Sequence, residues 1–434
     1  MKKGVSGAAL YKIWWTATNL EVSEKMNLEQ AKEKLAKYGQ EHVLKYYDEL
    51  SEESKKALLQ QIDETDFAVL SKCSELGKGG DRGKFSPLAA MQLPEIEAGR
   101  EEFERIGIET IKAGKTAAVL LAGGMGTRLG SDNPKGMYDI GLSKNVYIFQ
   151  RLFENLMDSV NAAGGAYIHL FIMTSEKNHE ATVKFLTEKK FFGYPEDKVT
   201  FFKQDMAPAS DYEGKVYMEG KDRISTSPNG NAGWFSSMIR AGLLDVIHAE
   251  GIEWIDVFAV DNVLQRICDP CFVGATVKRG VSVGAKVVKK NAPDEKVGVM
   301  CLEDGKPSIV EYYELSQEMM DAKDENGDPA YNFGVILNYL FNEKALEEIA
   351  SKELPLHVVE KKIPHIDENA QLVKPEKPNG CKFEQLVLDM IHMLDSCLPY
   401  EVVREKEFAP IKNATGVDSV ESARELCKLN GIEL

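Results

Sequence analysis

No stretch of this 434-residue chain approaches the roughly 20 consecutive apolar residues that span a bilayer, so a helical membrane protein is not expected. Positive charge is also in short supply: 53 Lys and Arg face 69 Asp and Glu, for a net charge of −16. That balance argues against nucleic-acid binding and against adsorption to anionic membranes. An anionic ligand would need a local cationic island built against the protein's own field. Cysteine is sparse and odd in number, seven in all (Cys73, Cys268, Cys271, Cys301, Cys381, Cys397 and Cys427). Such a set reads as reduced thiols in a cytoplasmic protein, not as a disulfide framework. Cys268 and Cys271 form a CxxC, but no second pair follows at zinc-ribbon spacing, and ordinary thiols near a strand end are expected. The histidines show neither HxxxH nor HExxH spacing, so no zinc centre and no histidine acid–base role is expected. There is no internal repeat and no low-complexity tract. Lys2 and Lys3 open the chain, but the apolar run behind them is cut at Lys12. A signal peptide is therefore not expected, and residues 1–25 read as a loose extension.

What the chain does contain is enough apolar sequence, 43%, for a globular protein of two or three domains. Residues 27–71 carry a helical period: Leu28, Ala31 and Leu35, then Val43, Leu44, Tyr47 and Leu50, with Ser51 placed to cap the run containing Ala57, Leu58 and Ile62. Residues 74–98, rich in glycine, read as a linker. From about residue 116 short apolar runs alternate with helical segments. Thr116–Ala122, Ile168–Met173, Val199–Phe202, Ile255–Val260, Val281–Val288, Gly298–Leu302, Ile309–Tyr313 and Asn332–Leu337 are expected strands, and Val420–Leu429 is an expected last helix. This βαβ rhythm predicts an α/β protein with a mainly parallel sheet covered on both faces.

The segment LLAGGMGTRLGSDNPKGMYDIG, residues 120–141, follows the first of these strands directly. Its glycines let the backbone turn tightly and let backbone N–H groups approach phosphate oxygens. It is not a dinucleotide fingerprint, because three residues separate Gly126 from Gly130 where GxGxxG needs two. It is not a P-loop either, since Lys135 has no glycine before it and Gly136 after it. It is a glycine-rich loop of a third kind, with Arg128 and Lys135 at its exit.

This loop resembles the signature of the eukaryotic-type UDP-N-acetylglucosamine pyrophosphorylases, LAGGxGTRLG followed by PKGMYDVGLPS. The likeness continues in order through FFKQDMAPA (201–209), SPNGNAGWF (227–235), VDNVLQRICDP (260–270), IVEYYE (309–314), KPEKPNGCKFE (374–384) and PIKNA (410–414). The resemblance implies a Rossmann-like nucleotidyltransferase core with a mixed, mainly parallel sheet. It divides the chain into a helical N-terminal domain with linker (1–105), a catalytic domain (106–400) and a shortened C-terminal region (401–434). It also implies a reaction, UTP plus N-acetylglucosamine 1-phosphate giving UDP-N-acetylglucosamine and pyrophosphate. In that reaction two polyanions must meet in line, so catalysis is positioning and charge neutralisation, with no protein nucleophile.

On this resemblance Arg128, with the backbone of Gly124 and Gly126, stabilises the leaving pyrophosphate, and Gly123 is a further substrate-binding position. Lys135 and Lys412 offset charge on the reacting phosphates, and Lys382 contacts phosphate. Asp261, after an apolar strand, is the implied ligand of Mg²⁺ (or Mn²⁺); read by itself, an Asp there is also a natural helix N-cap. Gln204 reads uracil together with the backbone of Leu121, Ala122 and Gly230, and Asn262 is a further substrate contact. Asn231, Gly298, Glu311 and Asn332 form the sugar pocket. Taken singly, Arg128 and Lys135 read equally well as surface ion-pair residues, and Glu311 alone in a strand reads more readily as a surface residue.

The chain also departs from the pattern. Asn229 and Ala232 stand where relatives have Asp and Gly, and Phe333 and Val335 follow Asn332 where relatives read AGN. The added methyl of Ala232 and the ring of Phe333 are expected to crowd the nucleotide or sugar pocket, which leaves UDP-N-acetylgalactosamine or UDP-glucose formation open. A catalytically silent UTP-binding regulator is the reading from a different class. Relatives also continue beyond the position of Lys412 into a small β-rich domain, and on that ground a monomer is expected over a dimer.

Overall fold

The computed structural model describes residues 26–76, 82–352 and 354–434; the extension expected over 1–25 lies outside them. Compactness divides the chain into two units that interleave along the sequence. The first comprises Met1–Gly80, Met206–Asn229 and Leu356–Glu384, and the second Asp81–Asp205, Gly230–Pro355 and Gln385–Leu434. The expected division at residues 105 and 400 follows the chain instead. It did not foresee that two excursions from the α/β part would join the N-terminal helices.

In the first unit, the helix Leu28–Lys37 starts at Asn27, which makes a capping box with Gln30. The run expected to be helical through residue 71 is broken. Gly39, in the left-handed region at φ 67°, follows the C-cap Tyr38 of this helix, and tight 3-10 turns over Glu41–Leu44 and Tyr47–Glu49 come next. Ser51 caps Glu52–Glu64 as its position predicts, accepting from the Ser54 N–H. Leu35, Leu58, Ile62 and Phe67 from these helices share one core with Val216, Ile224 and Phe383 from the two excursions. The excursions add short antiparallel pairs, Met206–Pro208 with Thr226–Pro228 and His357–Lys361 with Gly380–Glu384.

The second unit is built on a ten-stranded sheet. Its strands are β1 (Phe85–Pro87), β2 (Thr116–Leu121), β3 (His169–Thr174), β4 (Val199–Lys203), β5 (Trp254–Ala259), β6 (Val283–Lys289), β7 (Val299–Glu303), β8 (Lys306–Val310), β9 (Phe333–Asn342) and β10 (Cys397–Glu401). The order is β1-β7-β9-β5-β2-β3-β4, with β8 on β7 and with β6 between β9 and β10. β5, β2, β3 and β4 are parallel neighbours, as the βαβ rhythm predicts. The sheet is mixed and not mainly parallel, which corrects the expectation: β9 runs antiparallel to β5, β6 and β7, and β7 pairs antiparallel with β1 and β8.

The unbroken apolar runs follow from burial on both faces. In β2, Ala118 and Leu120 enter one apolar cluster, while Ala117, Val119 and Leu121 enter the other. In β3, Leu170 and Ile172 part from Phe171 and Met173 in the same way. Two expectations are corrected. The supposed linker contains β1, paired with β7, and the start of the helix Leu93–Lys112, whose first turn carries Pro94. The strand expected to reach Tyr313 stops at Val310, because residues 311–314 close a turn in which the Glu314 N–H donates to the Glu311 carbonyl at 2.8 Å. The last helix is Val420–Leu429, capped by Ser419. Among the described residues no helix is long and apolar enough to cross a membrane.

Candidate active site

The carboxyl ends of β2 and β5 lie side by side, and the Val260 N–H donates to the Leu121 carbonyl at 3.2 Å. In open α/β sheets this is where ligands bind. The glycine-rich loop leaves β2 here and folds back on itself: the Gly126 N–H donates to the Asn133 carbonyl (2.8 Å) and the Lys135 N–H to the Gly124 carbonyl (3.1 Å). Leu129 is buried in the core, and Gly130, left-handed at φ 73°, ends the turn Thr127–Leu129, so Arg128 is left exposed. A Cβ on Gly124 would meet no protein atom within 4 Å, whereas one on Gly136 would collide with the Phe149 ring. The first glycine keeps an open approach, and the second lets the Lys135 turn pack on the core. The Gly126 N–H expected to cradle phosphate is already engaged within the loop.

Lys135 reaches Asp261, with Nζ 3.8 Å from Oδ2 and side chains only 17% and 22% exposed. Burial pushes the Lys135 ammonium below its ordinary value; Asp261 opposes this, and Arg128 and Lys412 add to it. The structure therefore brings Arg128, Lys135, Asp261 and Lys412 into one electrostatic cluster. The Lys412 ammonium rests on Asp418 at 2.9 Å. Asp261 is not a helix cap, since the next helix, Pro270–Arg279, is capped by Asp269.

A second group forms beside the loop. The Gln204 side chain donates to the Gly230 carbonyl at 2.5 Å, and its Oε1 faces Gly123 closely enough that a Cβ there would sit 2.9 Å away. Gly230 is left-handed at φ 93°, and a Cβ on it would collide with the Gln385 backbone. The Ala122 carbonyl accepts from Asn178 Nδ2 at 2.8 Å. Asn178 braces the loop, yet it has no motif and no sequence signal. Asn231 Oδ1 accepts from the Val387 N–H at 2.9 Å, which leaves its amide nitrogen for other partners. Ala232 does not narrow a pocket; it is fully buried in the apolar cluster.

On the β7–β8 side, Gly298 lies against Glu311, with a built Cβ 3.4 Å from the Glu311 Oε1. The carboxyl of Glu311 is raised by burial and by Glu314, against the pull of Arg82. Arg82 pairs with Glu303 (2.8 Å) and Glu314 (3.0 Å), an anchor hidden in the sequence by its place in the apparent linker. Asn332 borders a cavity of about 180 Å³ with Lys290, Leu315, Met320 and Tyr331. The Phe333 ring joins the apolar core, correcting the expectation that it crowds the sugar pocket. Asn262 is buried at 2% exposure and bonded to backbone, which removes it from the substrate contacts. Lys382 lies in the first unit, on the Gly380–Glu384 strand. Cys268 and Cys271 are free and buried, and burial raises both thiols, which suits ordinary core residues.

Residues 89–431 match the profile of the UTP–glucose-1-phosphate uridylyltransferase family. The chain belongs to this family. It is 37% identical over 406 residues to UDP-N-acetylhexosamine pyrophosphorylase-like protein 1 of Mus musculus, covering 88% of this chain and 80% of the relative. It is 34% identical over 409 residues to the UDP-N-acetylglucosamine pyrophosphorylase of Saccharomyces cerevisiae, covering 90% and 84%. The crystal structure of the uridine diphosphate N-acetylglucosamine pyrophosphorylase from Trypanosoma brucei superposes with a TM-score of 0.78 at 26% identity, covering 91% of this chain and 83% of that one.

Proposed function

We propose that this protein transfers the uridylyl group of UTP to N-acetylglucosamine 1-phosphate, releasing pyrophosphate. The observation that carries the proposal is the convergence of Arg128, Lys135 and Lys412 with Asp261 at the mouth of the parallel strands, in a protein whose net charge is −16. A cationic island in an acidic protein serves a polyanion, and the relatives' names supply the nucleotide and the amino sugar. The sugar-phosphate oxygen attacks the UTP α-phosphorus in line, and the bond to the β-phosphate breaks. Arg128, a planar fork suited to phosphate oxygens, takes up charge on the departing pyrophosphate. Lys135 and Lys412 neutralise the reacting groups. The Gln204 amide reads uracil with the backbone of Leu121, Ala122 and Gly230. Glu311 accepts from sugar hydroxyls beside Gly298, Asn231 and Asn332.

Asp261 fits a hard divalent cation. Its carboxylate is partly open, and its ion pair with Lys135, at 3.8 Å, is too long to be a hydrogen bond. Mg²⁺ or Mn²⁺ held there with phosphate oxygens would add charge neutralisation. Seven free thiols suit a reducing compartment such as the cytoplasm.

The name of the mouse relative favours a second reading, a wider N-acetylhexosamine range. Pyrophosphate release measured against a panel of sugar 1-phosphates separates the two. The proposal expects release only when UTP and an N-acetylhexosamine 1-phosphate are both present. Tight UTP binding without release would leave a regulator instead.

A further inference from the structure

The loss of Asn262 from the substrate contacts exposes a different task. Asn262 Nδ2 donates to the Glu407 carbonyl at 2.7 Å, and its Oδ1 accepts from the Ala409 N–H at 2.9 Å and from the Leu264 N–H at 3.3 Å. The backbone around it is joined as well. The Ile411 N–H donates to the Asp261 carbonyl at 2.9 Å and the Val263 N–H to the Ala409 carbonyl at 3.4 Å, with Asn262 and Pro410 forming an antiparallel bridge. Behind this seam Lys286 of β6, fully buried, donates to Glu407 Oε2 and to the Arg266 carbonyl, both at 2.7 Å. The stretch that leads into Lys412 is therefore tied, side chain and backbone, to the strand end that carries Asp261.

We infer that Asn262 and the Lys286–Glu407 pair are positioning residues that fix Lys412 within the cluster of Lys135 and Asp261. A lysine on an untethered segment would have to be ordered in every turnover, whereas the clasp holds its backbone in place beforehand. None of the three clasp side chains is open to solvent, so they act through Lys412 and not on the phosphates. The inference rests on the proposed uridylyl transfer for its kinetic readout alone.

The test is a double-mutant cycle on the full chain with UTP and N-acetylglucosamine 1-phosphate. Asn262→Ala is expected to lower kcat by about 10- to 100-fold with little change in KM for UTP. Added to Lys412→Ala, it is expected to cost no more than about threefold further, since the clasp then has nothing left to position. Losses that multiply, or an Asn262→Ala enzyme with the parent kcat, overturn the inference. So does a slow Asn262→Ala beside an unimpaired Lys412→Ala. Asn262→Asp, which keeps the acceptor and removes the donor to Glu407, carries the same cycle if the alanine variant does not fold. Amide hydrogen exchange supplies a readout without turnover: Ala409 and Ile411 are expected to exchange about 10-fold faster or more in the variant, relative to amides of β2 and β3 remote from the seam. If the parent protein shows no turnover, the functional proposal fails and exchange alone decides the clasp, which unchanged protection would overturn.

Discussion

Two lysine–carboxylate pairs, Lys286–Glu407 from the middle of β6 and Lys135–Asp261 at the end of β5, are built differently. Lys286 and Glu407 meet at 2.7 Å with side chains 0% and 9% exposed, and the ammonium finds a further acceptor in Arg266. Lys135 and Asp261 stay 3.8 Å apart at 17% and 22%, with Arg128 and Lys412 adding positive charge nearby. The first pair is dry and satisfied, so it suits permanent structure. The second is loose and lies in an excess of cation, so its charges are ready to be shared with an anion. Burial and completeness of hydrogen bonding, more than the charges themselves, separate scaffold from chemistry.

The comparison breaks most visibly if Lys286 is removed. Lys286→Met leaves the Glu407 carboxylate buried without its cation, and a stability loss of about 3–5 kcal/mol is expected from urea unfolding. Lys135→Ala, at the loose pair, is expected to change stability by less than about 1 kcal/mol. Equal losses at the two sites would erase the distinction.

At the mouth the effect belongs on rate. Arg128→Ala removes an exposed donor that no core contact depends on, and a kcat loss of about 100-fold or more is expected, by analogy with deleting one oxyanion-type donor. A near-normal rate in a pyrophosphate-release assay would reject its role, and a large fall in Tm would make it scaffold instead.

How much of this could be read beforehand depends on whether the signal was local. The loop from Leu120 to Gly141, the strand before Asp261 and the last helix all carry their cues within a few residues, and each stands where the sequence places it. Asn178, Arg82, Lys286 and Glu407 do not. Each acts on a partner far along the chain, Glu407 lying 121 residues from Lys286 and Arg82 lying 221 from Glu303, so no spacing rule points to them. Asn262 was misjudged for a different reason. The resemblance made it a substrate contact, yet beside the strand end its side chain turns to backbone while that of Asp261 meets Lys135. Ala232 and Phe333 were legible as substitutions but not as directions; only the fold turns them inward.

A pH profile sharpens the loose pair further. Burial lowers the Lys135 pKa from 10.5, with Arg128 and Lys412 acting in the same sense. Its positive charge is present at neutral pH and is lost as pH rises through a value below that of an ordinary lysine. The alkaline fall in kcat/KM, which reports the free enzyme, is therefore expected below pH 10.5. In Lys135→Arg, where the cation does not titrate, that limb is expected to move upward even if the maximum rate drops. An unmoved limb would assign the titration to another group.

The smallest effect tests the comparison at its exposed extreme. His248 Nε2 lies 3.0 Å from both Glu343 and Glu347, joining the helices Leu244–Glu250 and Glu343–Ala350. The hydrogen bond to Glu343, with the charges of both carboxylates, raises the imidazole above its usual 6.5. A raised pKa means that the folded state holds the proton more tightly. The stabilisation is therefore complete below about 6.5 and disappears as pH rises through the folded-state value. Because the ring is half exposed, solvent screens the pair. His248→Gln is expected to lower Tm by only one or two degrees, roughly, at pH 6, not at all at pH 9, and to leave turnover alone. A loss that persists at pH 9 would mean that the ring packs more than it pairs, and this bridge would then belong with the buried scaffold.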